Sequence, residues 1–195
     1  MKIRLLILVS GSVLALTACK QNANTNNYAT TDMNVAMENE TVTNETANTA
    51  AEAAPLTAQA FVNAAAASDK FEIESSKLAA SQASSAAVKS FATKMISAHT
   101  ASTAKLKSTV KGMNPPLTPD DTLSPDQQST LDSLKGKKGA DFDTAYASAQ
   151  VDAHQKTLDA LKGYAASGDN ATLKTFANGL IPTVTAHLNM AKGLK

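Results

Sequence analysis

His99, His154 and His187 are the chain's only histidines and Cys19 is its only cysteine, so these four side chains carry most of the chemistry the sequence could do. Neutral imidazoles with a carboxylate suit Zn²⁺, Cu²⁺ or Fe²⁺. Each histidine falls in a series of apolar residues spaced three and four apart, the signature of the inward face of a helix. One series is Val88, Phe91, Met95, His99, Ser102, Leu106 and Val110. The next is Phe142, Tyr146, Gln150, His154, Leu158, Leu161 and Ala165, and the last is Leu173, Phe176, Leu180, Val184, His187, Ala191 and Leu194. A fourth series, Ala64, Ala67, Phe71, Glu74 and Leu78, has a carboxylate as its one ionisable member.

The elements that must position these side chains are helices with clear ends. Thr57 caps a helix over about 57–82, and a second runs over about 85–112. Four prolines in the stretch from Gly112 through Pro125 stop that helix and impose a crossing segment. Ser124-Pro125-Asp126-Gln127 is a capping box opening a short helix that ends near Gly136. A third long helix follows Gly139 and stops at Gly168, and Asp169 caps the last, which contains Pro182. Four long helices and one short one predict an all-α, up-down four-helix bundle, with the short helix in the crossing segment.

At about 1.5 Å rise per residue, His99 and His154 lie roughly 21 Å into their helices, Glu74 about 25 Å and His187 about 26 Å. With helix directions alternating along the chain, all four meet near the middle of the core. Glu74, His99, His154 and His187 are therefore the candidate metal ligands, with Tyr146 and Gln150 as supporting polar groups. The competing reading is a buried hydrogen-bond network of the same residues, with Glu74 accepting from the histidines. A di-iron carboxylate centre is disfavoured, since it needs Glu-x-x-His on two helices and Ile96, Val151 and Val184 occupy the position three before each histidine.

Composition excludes several other classes. With 18 basic and 17 acidic residues in 195, the chain carries no net field for nucleic acid, and no arginine follows Arg4 to grip phosphates in a bidentate fashion. A lone cysteine rules out an intrachain disulfide and a thiolate cluster. No Gly-x-Ser-x-Gly elbow or phosphate loop occurs, so hydrolase and nucleotide chemistry have no motif behind them.

The N-terminus carries a different message. Lys2 and Arg4 precede an apolar run from Leu5 to Leu16, followed by Leu16-Thr17-Ala18-Cys19. This is a secretory signal, too short to span a bilayer. Its end resembles the bacterial lipobox, which implies cleavage after residue 18 and lipidation of Cys19. Lys20 stands where an aspartate would signal inner-membrane retention, so the expected location is the outer membrane, facing the periplasm. Residues 20–54 are rich in Asn, Thr, Ala and Glu without apolar periodicity, which predicts a disordered tether with a span of roughly 30–35 Å. The expected organisation is a signal peptide at 1–18, a lipidated cysteine and tether at 19–55, and a helical domain at 56–195.

Phe71-Glu72-Ile73-Glu74-Ser75-Ser76-Lys77-Leu78-Ala79, Val88 through Thr100, Phe142-Asp143-Thr144-Ala145-Tyr146, Gln150 through Gln155 and Leu180 through Leu188 together resemble the domain-of-unknown-function 4142 family. The likeness spans about 57–194. It implies a ferritin-like bundle in a bacterial outer-membrane or periplasmic protein, and it brings no activity with it. Members usually carry Asp-His where this chain has Ala98-His99, so a role of that aspartate is missing here. The resulting expectation is a non-enzymatic envelope lipoprotein, anchored to the membrane by lipid and acting through binding or envelope maintenance with an envelope protein as partner. The alternative is a mononuclear bundle with a Glu/His₃ site for metal storage, sensing or detoxification.

Overall fold

Four of the five helices among the described residues begin where a side chain satisfies one of their first free amides. In the computed structural model, which describes residues 56–194, the helices are α1 (Ala58–Gln82), α2 (Ala86–Lys111), α3 (Pro125–Lys135), α4 (Gly139–Ser167) and α5 (Ala171–Lys192). Thr57 accepts from the Ala60 amide at 3.3 Å and Ser85 from the Val88 amide at 3.4 Å. Ser124 and Gln127 form the expected reciprocal box. α5 is capped by Asn170, not Asp169, and it continues through Pro182. Asp169 instead accepts from the Ala58 amide at 3.2 Å and from the Tyr164 hydroxyl at 2.8 Å, fastening the α4–α5 turn to the start of α1.

These contacts set the helix directions. The Phe61 ring stacks on Tyr164 with centroids 4.1 Å apart, so α1 starts where α4 ends. At the opposite end, Asp143 near the start of α4 accepts from the Ser84 and Ser85 amides just ahead of α2. α2 and α4 therefore run the same way, and α1 and α5 run against them. Gln82 binds the carbonyls of Leu134, Lys135 and Lys137, while Gln127 reaches the Ala67 carbonyl, so α3 climbs beside α1. The four long helices do not alternate in direction along the chain as their sequence order suggests, because the 112–138 segment, with α3 in it, carries the chain back the length of the bundle. The packed pairs α1–α2, α2–α5, α5–α4 and α4–α1 are nonetheless all antiparallel, the single-crossover arrangement of ferritin-like bundles. Gly139, with φ of 61°, makes the turn into α4 in a conformation that a side chain would strain.

The apolar core comes in two blocks. One gathers Phe61, Val62, Leu106, Leu158, Leu161 and Phe176, and the other Val88, Phe91, Met95, Leu134, Phe142 and Tyr146. Between them, at mid-height, lie buried Asp69, Glu72, His99, Gln150, His154 and His187. The sequence stripes of α2, α4 and α5 are the buried faces of those helices. The α1 stripe is rotated: Ala64 is exposed and Glu74 only half-buried, while Val62, Asp69, Glu72, Ser76 and Ala79 face inward.

Candidate metal centre

The three histidines come from three different helices and form a near-equilateral triangle. Ring centroids are 5.7 Å apart for His99 and His154, 5.6 Å for His99 and His187, and 5.5 Å for His154 and His187. One ligating nitrogen from each lies within 4.8 Å of the other two. All three side chains are buried.

Two of the rings have fixed tautomers. His154 Nδ1 is 2.8 Å from the Gln150 carbonyl oxygen, which can only accept, so the proton is on Nδ1 and Nε2 keeps its lone pair. His99 Nδ1 is 2.8 Å from Oδ1 of Asp69, which orients that ring the same way, and the Thr103 hydroxyl donates to the second Asp69 oxygen at 3.1 Å. Second-partner bonds of this kind, to a carboxylate and to a backbone carbonyl, are what metal-bound imidazoles characteristically have.

The opposite nitrogens have nothing to bind. Among the described residues, the buried side-chain atoms without a hydrogen-bond partner are His99 Nε2, His154 Nε2, His187 Nδ1, both Glu72 oxygens and Gln150 Oε1. An unsatisfied buried polar group costs about 1–3 kcal/mol, so six atoms at one level form an expensive concentration. It is not the satisfied polar network that would let the bundle close on itself. A cation seated among the three imidazoles would use their lone pairs.

Charge in this layer is shaped by burial. Loss of solvation pushes Glu72 up to about 7, against the pull of His99, and its Oε1 stands 3.5 Å from His154 Nδ1. Burial pushes His154 and His187 down to about 4, and the His99 charge adds to the effect. Burial also presses His99 down, but its hydrogen bond to Asp69 and the charges of Glu72 and Asp69 outweigh that and hold it above its ordinary value. Neutral His154 and His187 at neutral pH are ready donors.

The sequence-selected residues divide clearly. His99, His154 and His187 are brought together, whereas Glu74 is half-buried on α1 and is not part of the group. The carboxylates at this level are Asp69 and Glu72. Gln150 supports His154 through its main-chain carbonyl, and its side chain donates to Ser75 at 3.1 Å. Tyr146 pairs with Ser76 at 2.7 Å and makes no hydrogen bond to the histidines. Glu72 follows Phe61 by eleven residues, about three helical turns, a spacing that marks it as inward. Cys19 lies outside the described residues.

Residues 43–194 match the family model described as domain of unknown function (DUF4142). The chain belongs to this family. Two solved structures share its fold: CopM in the Cu(II)-bound form, 14% identical with a TM-score of 0.57, covers 71% of this chain and 95% of its own. CopM in the Cu(I)-bound form is 15% identical with a TM-score of 0.58, and covers 71% of this chain and 94% of its own. No curated protein matches the sequence. This DUF4142 bundle thus combines an all-helical architecture with a buried three-imidazole group of metal-ligating type.

Proposed function

We propose that this protein is a cell-envelope lipoprotein whose helical bundle holds one copper ion on His99, His154 and His187, as a binding or buffering protein rather than an enzyme. The observation that carries the metal reading is the meeting of three buried imidazoles from three helices, with ligating nitrogens within 4.8 Å and no other partner for them. Bonds of about 2.0–2.1 Å to one ion put nitrogens about 3–4 Å apart, so loading draws the outermost pair inward by about an ångström.

Copper is favoured over zinc and iron on two grounds. Divalent copper heads the affinity order for nitrogen sites, and two solved structures that share this fold are copper-bound forms of CopM. The envelope assignment rests on the basic start, the apolar run and Leu16-Thr17-Ala18-Cys19.

Metal content by mass spectrometry, with Cu²⁺, Zn²⁺ and Fe²⁺ titrations, tests the reading on the protein and on His99→Ala, His154→Ala and His187→Ala. About one copper per chain, lost in each variant, is the expected result. Binding no tighter than millimolar would reduce the histidines to buried polar residues of an envelope bundle.

A further inference from the structure

The three-histidine layer is not sealed on every side. A cavity of about 320 Å³ reaches it from the seam between α2 and α5, with His99 and His187 in its wall and His154 outside it. One water occupies about 30 Å³, so the space exceeds that of an ion and its hydration. Apart from the two histidines and Lys105, its walls on α2 and α5 are small or apolar, with Ala98, Ser102, Leu180 and Thr183 among them.

Charge at this cavity has one sign to spare. Asp69 also borders it, but one of its oxygens is taken by His99 and the other by Thr103. Lys105, by contrast, crosses the seam from α2: its ammonium stands 5.8 Å from the centroid of the Phe176 ring on α5, and 3.8 Å from where a Cβ on Gly179 would be. Three nitrogen donors leave at least one coordination position of a copper ion open. The imidazoles themselves bring no charge to the ion, and of the two carboxylates at this level Asp69 is taken by His99 and Thr103 while Glu72 lies outside the cavity wall.

We propose that this cavity seats a small monoanionic ligand, which enters past Lys105 and completes the coordination of the ion from the α2–α5 side. The inference rests on the three-histidine copper reading above. A largely apolar wall with one free charge, on Lys105, suits a monoanionic donor such as a halide or a triatomic pseudohalide over a polycarboxylate chelate.

Azide is the probe. The full protein loaded with one equivalent of Cu²⁺ is titrated with azide and followed by the azide-to-copper charge-transfer absorption, alongside Ser102→Leu and Thr183→Leu, which fill the cavity without altering a ligand. Copper content is measured first in each sample. The expected result is a saturable azide band in the parent protein, with affinity falling by roughly tenfold or more in a folded variant that keeps its copper, as a steric block requires. Copper-loaded protein that binds no azide, or binds it equally well in a folded, copper-replete variant, would overturn the cavity assignment while leaving the copper reading standing. Parent protein that takes up no copper would overturn both.

Discussion

His99 Nδ1 and Asp69 Oδ1 meet at 2.8 Å across the α1–α2 interface, with both side chains buried. The pairing does two things at once. It gives a buried carboxylate a hydrogen-bond donor, and it holds a proton on Nδ1 so that Nε2 is the nitrogen left to ligate, which raises the ring's basicity as a ligand. The carboxylate comes from α1, thirty positions away, in a chain whose position beside His99 is Ala98.

Replacing Asp69 by Asn keeps the shape and an acceptor for the imidazole proton but removes the charge. Copper affinity should fall about 10–100-fold, the range for loss of such outer partners, while the far-ultraviolet circular dichroism stays helical. Competition with a chromophoric chelator measures it. Equal affinities in the two proteins would show that Asp69 has no part in binding.

Glu72 gives a pH-dependent prediction. Its carboxyl is raised from 4.5 to about 7, so the folded state holds the proton more tightly than the unfolded chain. That contribution is fully present below pH 4.5 and is lost as pH rises through 7. Glu72→Gln stays neutral throughout. The metal-free variant should therefore be more stable than its parent at pH 8, by on the order of a few kcal/mol at one pKa unit per about 1.4 kcal/mol, and the gap should close towards pH 4.5. Thermal melts at the two pH values measure the gap, and a pH-independent difference would contradict the burial argument.

His154 and His187 behave in the opposite sense. Both are depressed from 6.5 to about 4, so their contribution is fully present above pH 6.5 and lost as pH falls through 4. With Glu72→Gln as background, acid should destabilise the metal-free protein over this window, and His187→Gln should flatten the slope. An unchanged slope would mean that His187 is not buried in its neutral form.

The helices that carry histidines were legible because Phe, Leu, Val and Met mark a single face on each. Val88, Phe91 and Met95 leave no other register for His99, and Phe142, Leu158 and Leu161 leave none for His154. α1 was not legible in this way. Alanine occupies its inner and outer faces alike, at Ala66 and Ala64, and its inward middle is polar: Asp69, Glu72, Ser75 and Ser76. A hydrophobic stripe cannot be read through four polar residues, so the pattern selected Glu74 where the fold uses Asp69 and Glu72. The helix directions were hidden for another reason. The prolines mark residues 112–138 as a crossing segment, but that it returns the whole length of the bundle, and so sets the helix directions, follows only from distant partners such as Gln82 and Ala67.

Metal removal should leave the fold intact, because two apolar blocks flank the polar layer and hold the helices without it. Copper at a hundredfold excess over its dissociation constant should add about 2.7 kcal/mol, a rise in melting temperature of roughly 10 °C for a domain of this size. His154→Ala should abolish the rise. An equal rise in that variant would place the copper elsewhere.

Membrane retention should depend on the thiol of Cys19, which lies outside the described residues. Among the described residues, no helix is long and apolar enough to cross a membrane. Acyl chains on the cysteine, at about 0.8 kcal/mol per buried methylene, would then supply the anchoring, and two or more chains make it lasting. Cys19→Ser blocks both lipidation and the cleavage that depends on it. Fractionation and detergent phase partitioning should find the parent protein in the membrane and detergent fractions with acyl label attached, and the variant without label and depleted from the outer-membrane fraction. An unlabelled parent, or an outer-membrane fraction unchanged by the substitution, would remove the lipoprotein assignment and leave the copper reading of the bundle to stand on its own.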